Sequence, residues 1–253
     1  MKVSIITPSF NSVNTIGLTI DSVKSQTYSN IEHVIVDGGS SDGTYELLNA
    51  RRTEFKTLIH EKDRGIYDAI NKGVRSSSGE LIGVLNSDDF FFDSHVIEKI
   101  VDVFQSMQEI NCVYGNLIFI DHYGKVRRVW HSIDFSPGLF DKSWTPAHPT
   151  FYCRRIVYEE LGNYKSDYKI AADVDFMFRA LEVKGYRSFH LNEYLVKMLI
   201  GGVSNQGFKS TIIITREMKK SYQENKRGFN IIKYLFFKLL KLKELKLIST
   251  HIK

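Results

Sequence analysis

Across its first 110 residues the chain alternates short apolar runs with segments whose apolar residues recur every three or four positions, and this alternation restricts the fold to a parallel, helix-covered sheet. Val3 to Ile6 predicts a buried strand halted by Pro8. Asn14 is placed to cap a helix that carries Ile16, Ile20 and Val23 on one face. Ile31 to Val36 predicts a second strand, running into the turn-forming string Asp37, Gly38, Gly39, Ser40, Ser41, Asp42, Gly43, and Thr57 to His60 predicts a weaker third. Ile66, Ile70 and Val74 mark the next helix. Gly79 precedes a fourth strand, Leu81 to Leu85, after which Ser94 is placed to cap a helix with Ile97, Ile100, Val101 and Phe104 inward.

Beyond residue 111 the pattern changes. Cys112 to Asp121 and Lys125 to Trp130, joined through Tyr123 and Gly124, predict an antiparallel hairpin. Residues 131–150 contain Pro137, Pro146 and Pro149 and read as a long loop, a length that is usually functional inside a compact domain. A helix over 173–184 with Val174, Met177, Phe178 and Leu181 inward, short strands near 187–198, and helices at about 205–225 and 229–248 complete the chain. The expected class is therefore α/β, with residues 1–225 as one domain, halves meeting near 110, and 226–253 as a basic helical extension.

Ligands of open α/β sheets bind beyond the carboxyl ends of the strands. Asp37 ends the second strand, Asp63 follows the third, and Asp88 with Asp89 end the fourth. One such residue is readily explained as a helix cap, but three at equivalent positions predict a shared negative pocket. Such a pocket is costly unless a cation fills it or its carboxylates take up protons. A hard divalent cation, Mg²⁺ or Mn²⁺, shared with ligand phosphates relieves that cost and suits a nucleoside diphosphate, whose leaving charge the metal offsets. The loop after Asp37 has neither the Lys-Ser/Thr ending of a P-loop nor the GxGxxG of a dinucleotide site, which removes the main support for ATPase and dehydrogenase readings.

Pro8-Ser9-Phe10-Asn11, the run QTYSNIEHVIVDGGSSDGT from Gln26 to Thr44, DRGIYDAINKG from Asp63 to Gly73 and GELIGVLNSDD from Gly79 to Asp89 occur in an order and spacing similar to the family 2 glycosyltransferases of the GT-A fold. The resemblance covers about residues 1–105 closely and continues more thinly through Arg179 to about Ser204. It implies an inverting, metal-dependent transfer of sugar from a nucleotide-activated donor to an acceptor hydroxyl. By that resemblance Pro8 and Asn11 shape the nucleotide pocket, Asp37 binds base or ribose, and Asp63 with Arg64 borders the same pocket. The DxD signature falls on Asn86, Ser87 and Asp88, so Asp88 is left as the main metal ligand while Asn86 offers only a neutral carbonyl. Asp89 either backs that ligand or starts the following helix. The family's base lies in a Glu-Asp pair followed six residues later by Arg; Asp173 and Arg179 keep the spacing, with Ala172 in the glutamate's place. Asp173 is thus the expected base, and Asp175, about 200° around the helix, is its rival.

His148, in TPAHPTFYCRR, is expected to contact sugar or diphosphate, Trp130 and Trp144 are candidate stacking surfaces, and Gly201 to Ser204 is a candidate closing loop. A sugar-1-phosphate nucleotidyltransferase shares the α/β plan but needs a glycine-rich, arginine-containing N-terminal phosphate loop, which TPSFNSVNT is not. A glycoside hydrolase would leave Asp37 and Asp63 unexplained, and a non-catalytic nucleotide-sugar-binding protein is the remaining alternative.

Charge bears on the partners. Residues 226–253 hold eight Lys or Arg against Glu244, so this tail carries +7 of a net +5 and leaves −2 for residues 1–225. A basic isoelectric point confined to an appendage does not make the body a nucleic-acid binder. The tail groups Lys233, Lys241 and Glu244 on one side and predicts either a helix on the anionic inner face of the cell membrane, suited to a lipid-linked acceptor, or one packed on protein. No apolar run spans a bilayer and MKVSIITPSF does not read as an export signal, which places the expected location in the cytoplasm. Cys112 and Cys153 have no CxxC spacing and read as reduced thiols.

Overall fold

The computed structural model describes residues 1–200 and 208–251, with side chains in the last two helices described over 209–241. In chain order its elements are β1 (Val3–Ser9), α1 (Ile16–Lys24), β2 (Ile31–Asp37), α2 (Thr44–Ala50), β3 (Thr57–His60), α3 (Ile66–Ser76), β4 (Leu81–Val84), β5 (Asp89–Phe91) and α4 (Val96–Ser106). There follow β6 (Cys112–Ile120), β7 (Val126–Trp130), β8 (Tyr152–Arg154), α5 (Arg155–Leu161), α6 (Ala172–Phe178), β9 (Ser188–Leu199), α7 (Phe208–Glu224) and α8 (Ile231–His251). The strands form one nine-stranded mixed sheet in the order β3-β2-β1-β4-β8-β6-β9-β5, with β7 paired to β6. The first four are parallel, as the alternation predicts, and β8 lies antiparallel between β4 and β6.

Period-two alternation sorts the strand residues onto two apolar layers. Ile6, Val34, Val36 and Ile82 face α3, α5, α6 and α7, whereas Val3, Ile5, Leu81 and Val113 face α4. A smaller cluster of Ile16, Ile20, Ile35, Leu48 and Phe55 seats α1 and α2. Gly73 lets α3 approach β1 and β2 closely, because a Cβ there would collide with Ile6. Cys112 and Cys153 are buried, free and opposite each other across β6 and β8.

Local punctuation departs from expectation in three places. Pro8 does not halt β1; it pairs with Val36 where the β4 side of β1 is already open, since that pairing ends at Ile6 and Val84, so its missing N–H breaks no ladder. Asn14 does not cap α1, whose start is tied by Thr15 and Ile16 amides donating to the Ser12 carbonyl, both at 3.0 Å. Ser94 does not cap α4 either: the turn is closed by His95 N–H donating to Asp93 Oδ1 at 2.8 Å. The expected hairpin is present as β6 and β7, and the helix at 173–184 is α6 continued by a π-helical turn, Arg179–Val183.

Candidate active site

A cavity of about 840 Å³ opens at the carboxyl ends of β1 and β4. Its floor and near wall come from Pro8, Phe10, Asn11, Gly38, Lys62 and Asp63, with the start of α3 alongside; Asn86, Ser87 and Asp88 form the centre, and His148, Lys169 and Asp173 the far wall. Segments up to 190 residues apart, from Pro8 to Met198, therefore meet in one space, and Asp63, Asp88 and Asp173 share it.

The near wall is wired by its own backbone. Asn11 adopts a left-handed conformation, φ 49°, which asparagine tolerates better than most residues. Its amide N–H donates to Ser40 Oγ at 2.8 Å, and its side-chain carbonyl accepts from Ser41 N–H at 3.0 Å, locking the loop after β1 to the loop after β2. Asp37 is fully buried and lies behind the lining; its carboxylate accepts from Ser40 N–H (3.1 Å), Ser40 Oγ (2.5 Å) and His60 Nδ1 (2.6 Å), and the His60 ring stacks on Tyr45 with centroids 3.8 Å apart. Gly38 has no room for a side chain: a Cβ would lie 2.8 Å from Asp63 Cγ and collide with its carboxylate. We expect Gly38→Ala to displace the Asp63 carboxylate from the near wall with little change in melting temperature, since only the far end of a flexible side chain has to move; a crystal structure of the variant alongside calorimetry checks it. Arg64 is turned away, its guanidinium 3.4 Å from Asp68, and does not line the cavity.

At the centre, Asn86 and Asp89 close a turn through Asp89 N–H donating to the Asn86 carbonyl at 3.1 Å. Asp89 opens β5, seven residues before α4, so it does not start a helix. It is fully buried, accepts from the Asn86 side-chain amide at 3.1 Å, and has Oδ1 without a hydrogen-bond partner. Burial, and then repulsion from Asp88, push its carboxyl well above the usual carboxylate range, against the pull of the Asn86 hydrogen bond. Burial also raises Asp88, with a hydrogen bond from its own backbone and the nearby His148 acting the other way. Ser87 Oγ lies 2.8 Å from Ser12 Oγ and anchors the turn to the loop after β1.

On the far wall, Asp173 sits at the start of α6 with Oδ2 3.4 Å from His148 Nδ1 and Oδ1 accepting from Tyr67 OH at 3.4 Å. The Tyr67 hydroxyl shares its single proton between that carboxylate and the Ile170 carbonyl, which is the nearer acceptor, and burial, with the Asp173 carboxylate beside it, keeps it protonated. Asp175 points the other way. It is fully buried and bonded to Arg179 Nε (2.7 Å), Lys165 Nζ (2.9 Å) and Ser221 Oγ (2.6 Å), a structural network that joins α6 to α7. Arg179 belongs to that network: it also donates to the carbonyls of Leu161 and Asn163 and does not reach the cavity.

Residues 4–176 match the family model described as glycosyl transferase family 2. The chain belongs to this family. It is 34% identical over 181 residues to an uncharacterized glycosyltransferase of Mycobacterium tuberculosis, covering 70% of this chain and 68% of that one. It is 26% identical over 233 residues to a protein named PGL/p-HBAD biosynthesis glycosyltransferase of Mycobacterium bovis, covering 90% and 87%. Among solved structures, S. aureus TarS 1-349 in complex with UDP-GlcNAc superposes with a TM-score of 0.68 at 17% identity, over 88% of this chain and 66% of that one. The mannosyltransferase PcManGT from Pyrobaculum calidifontis, in complex with GDP-Man and Mn2+, gives 0.65 at 19% identity over 90% and 65%. The chain thus spans just under two thirds of these solved chains, and the likeness establishes the fold, which is the glycosyltransferase fold expected.

Within this family 2 glycosyltransferase the donor set can be tested against a divalent cation. Among the described residues no three His, Cys, Asp or Glu side chains cluster into a ready-made cage. What is present at the centre of the cavity, between Asp63 on the near wall and Asp173 on the far wall, is the Asp88 carboxylate, made costly by burial and backed by a second buried carboxylate, Asp89, with an unpartnered oxygen. That arrangement fits a hard cation completed by phosphate oxygens rather than by protein. Trp130 and Trp144 do not line the cavity: Trp130 stacks on Phe119 and Trp144 packs among Tyr114, Phe135 and Phe140. Gly201 to Ser204 lie outside the described residues. Sequence reading missed Tyr67, Lys62 and Lys169. Tyr67 stands inside the DRGIYDAINKG string, one position into α3, where its place beside Ile66 was a usable signal; Lys169 carries none, because only the chain's return after α5 brings it to the cavity.

Proposed function

We propose that the protein is an inverting glycosyltransferase that moves a sugar from a nucleoside-diphosphate sugar to an acceptor hydroxyl on a lipid-linked glycan, in surface-polysaccharide synthesis at the inner face of the cell membrane. The observation that carries this reading is that Asp88 and Asp173, from separate segments, line one cavity of about 840 Å³. That volume accommodates a nucleotide sugar with part of an acceptor.

Phe10, 61% exposed at the cavity rim, offers a ring face to the nucleobase, while Asp37 holds the loop around Gly38 that abuts the base and ribose. Asp63 and Lys62 border the nucleoside end, and Asn86 and Asp88 take the diphosphate end. A Mg²⁺ or Mn²⁺ held by Asp88 and the donor's phosphates, with the Asn86 carbonyl beside it, supplies neutralisation of charge on the leaving diphosphate. Asp173, oriented by Tyr67 and His148, accepts the proton of the acceptor hydroxyl. The hydroxyl oxygen bonds to the anomeric carbon on the face opposite the donor phosphate; the carbon–oxygen bond to that phosphate breaks, and its electron pair departs with the nucleoside diphosphate. The single attack inverts the anomeric centre. The structural neighbours in complex with UDP-GlcNAc and with GDP-Man and Mn2+ support a nucleotide-sugar donor and a divalent ion. The membrane part of the reading is supported by the tail's net charge of +7, which an anionic leaflet attracts, with a basic residue that lies near the leaflet contributing about 1 kcal/mol. Among the described residues no helix is long and apolar enough to cross a membrane.

A thermal-shift panel of UDP-, GDP- and dTDP-sugars with and without Mn²⁺ tests the donor. At 100 times its dissociation constant the right donor adds about 2.7 kcal/mol, a rise of about 5–10 °C for a chain of this size. The absence of a shift with every donor overturns the reading.

A further inference from the structure

Over residues 231–241 the polarity of α8 is reversed with respect to the body. Its inward side carries the charges: Lys233 Nζ lies 3.1 Å from Asp141, Lys241 donates to the Ser143 carbonyl at 2.9 Å, and Lys238 is buried against the Tyr234 ring, 5.7 Å from its centroid. Burial lowers the Lys238 ammonium to about 8. Tyr234, only 4% exposed, joins Phe229 and Tyr222 and fixes the helix to the core. The outward side over 231–240 is wholly apolar: Ile231, Ile232, Leu235, Phe236, Leu239 and Leu240, with Ile232 at 79%, Leu239 at 62% and Phe236 at 58% exposure. These positions follow the i, i+4, i+8 rhythm of one helix face.

We infer that this outward face of α8 is the membrane-docking surface, seated in the headgroup–acyl boundary of an anionic lipid surface while the lysines on the opposite side clamp the helix to the body; the inference rests on the membrane part of the proposed function and specifies the contact. Charge chooses lipid over a second copy of the chain: Lys233, Lys238 and Lys241 lie on the body side, but Lys226 and Arg227 are exposed just before the helix and the tail as a whole carries +7, which repels a second copy and is attracted by an anionic leaflet. A helix that meets lipid with its apolar side buries it about 5–10 Å deep, and because it is fixed to the body it also sets which way the cavity faces relative to the lipid.

The test uses the full chain with vesicles of phosphatidylglycerol and phosphatidylcholine. Phe236→Trp is expected to show a blue-shifted emission with mixed vesicles and quenching by brominated lipid, while Phe237→Trp, on the body side, shows neither. Phe236→Asp combined with Leu239→Asp is expected to reduce co-flotation at least tenfold with melting temperature and donor-induced thermal shift unchanged. Equal quenching at 236 and 237 overturns the inference, as does a concentration-dependent dimer that the double Asp variant abolishes. If deletion of 242–253 abolishes flotation but the double Asp variant does not, the membrane reading survives and this face is wrong. Loss of donor binding in the parent protein with intact flotation instead removes the catalytic reading alone.

Discussion

Asp173→Asn is expected to lower sugar transfer about 10²–10⁴-fold, the range over which a positioned base contributes, while donor affinity stays within about twofold. The amide keeps the shape of the carboxylate and can still accept from Tyr67, so the start of α6 and the far wall are retained; only proton acceptance is lost. His148→Asn, by contrast, leaves the carboxylate in place and removes one of its two neighbours, so a loss of about tenfold is expected. Single-turnover transfer alongside donor titration separates the two. Normal transfer by Asp173→Asn would place the base elsewhere, and Asp175 is not the substitute, since Arg179, Lys165 and Ser221 occupy its oxygens.

Asp88→Asn is expected to abolish the Mn²⁺-stimulated part of donor binding and, at the same time, to stabilise the ligand-free protein. Its folded-state carboxyl is raised by burial, so at neutral pH the ionised form is held at a cost that the unfolded chain does not bear; the destabilisation is present above the raised value and vanishes as pH falls below the ordinary carboxylate value. Removing the charge also removes its repulsion of Asp89. At this chain length each 1 kcal/mol of such a gain raises the melting temperature by about 2–4 °C. Calorimetry of the two proteins, each with and without donor and Mn²⁺, reads both effects. A lower melting temperature for Asp88→Asn would mean that Asp88 makes a stabilising contact.

The donor half was legible because its signals are local. Apolar runs ending in Asp37 and Asp88 mark β2 and β4 with their loops, and the periods of Ile66, Ile70 and Val74 mark α3. What local signals did not carry is contact between distant segments. Arg179 keeps the six-residue spacing from Asp173, and Asp175 stands as a rival base two positions along; only packing against Lys165 and Ser221 shows Asp175 and Arg179 to be a structural pair. Trp130 and Trp144 look available for a sugar ring because a tryptophan's burial depends on neighbours such as Phe119 and Phe140 that lie elsewhere along the chain. The caps proposed at Asn14 and Ser94 failed because backbone carbonyls and a neighbouring Asx side chain satisfy the same amides. In the tail, the grouping of Lys233 with Lys241 was readable by periodicity, but Asp141 and Ser143 decide that the group faces inward.

The insertion of β8 between β4 and β6 has a consequence for how the chain assembles. β4 is fully buried, and the side of it away from β1 is covered by three residues that arrive about seventy positions later. Until that late segment threads into place, the nascent first half presents an open, apolar strand margin of the kind that templates intermolecular pairing. Because loop closure over such a distance precedes its reward, maturation of the sheet is intrinsically slow. An isolated fragment ending near residue 110 would keep its nucleotide loops yet carry that sticky margin permanently, so the two halves are inseparable for solubility as well as for chemistry.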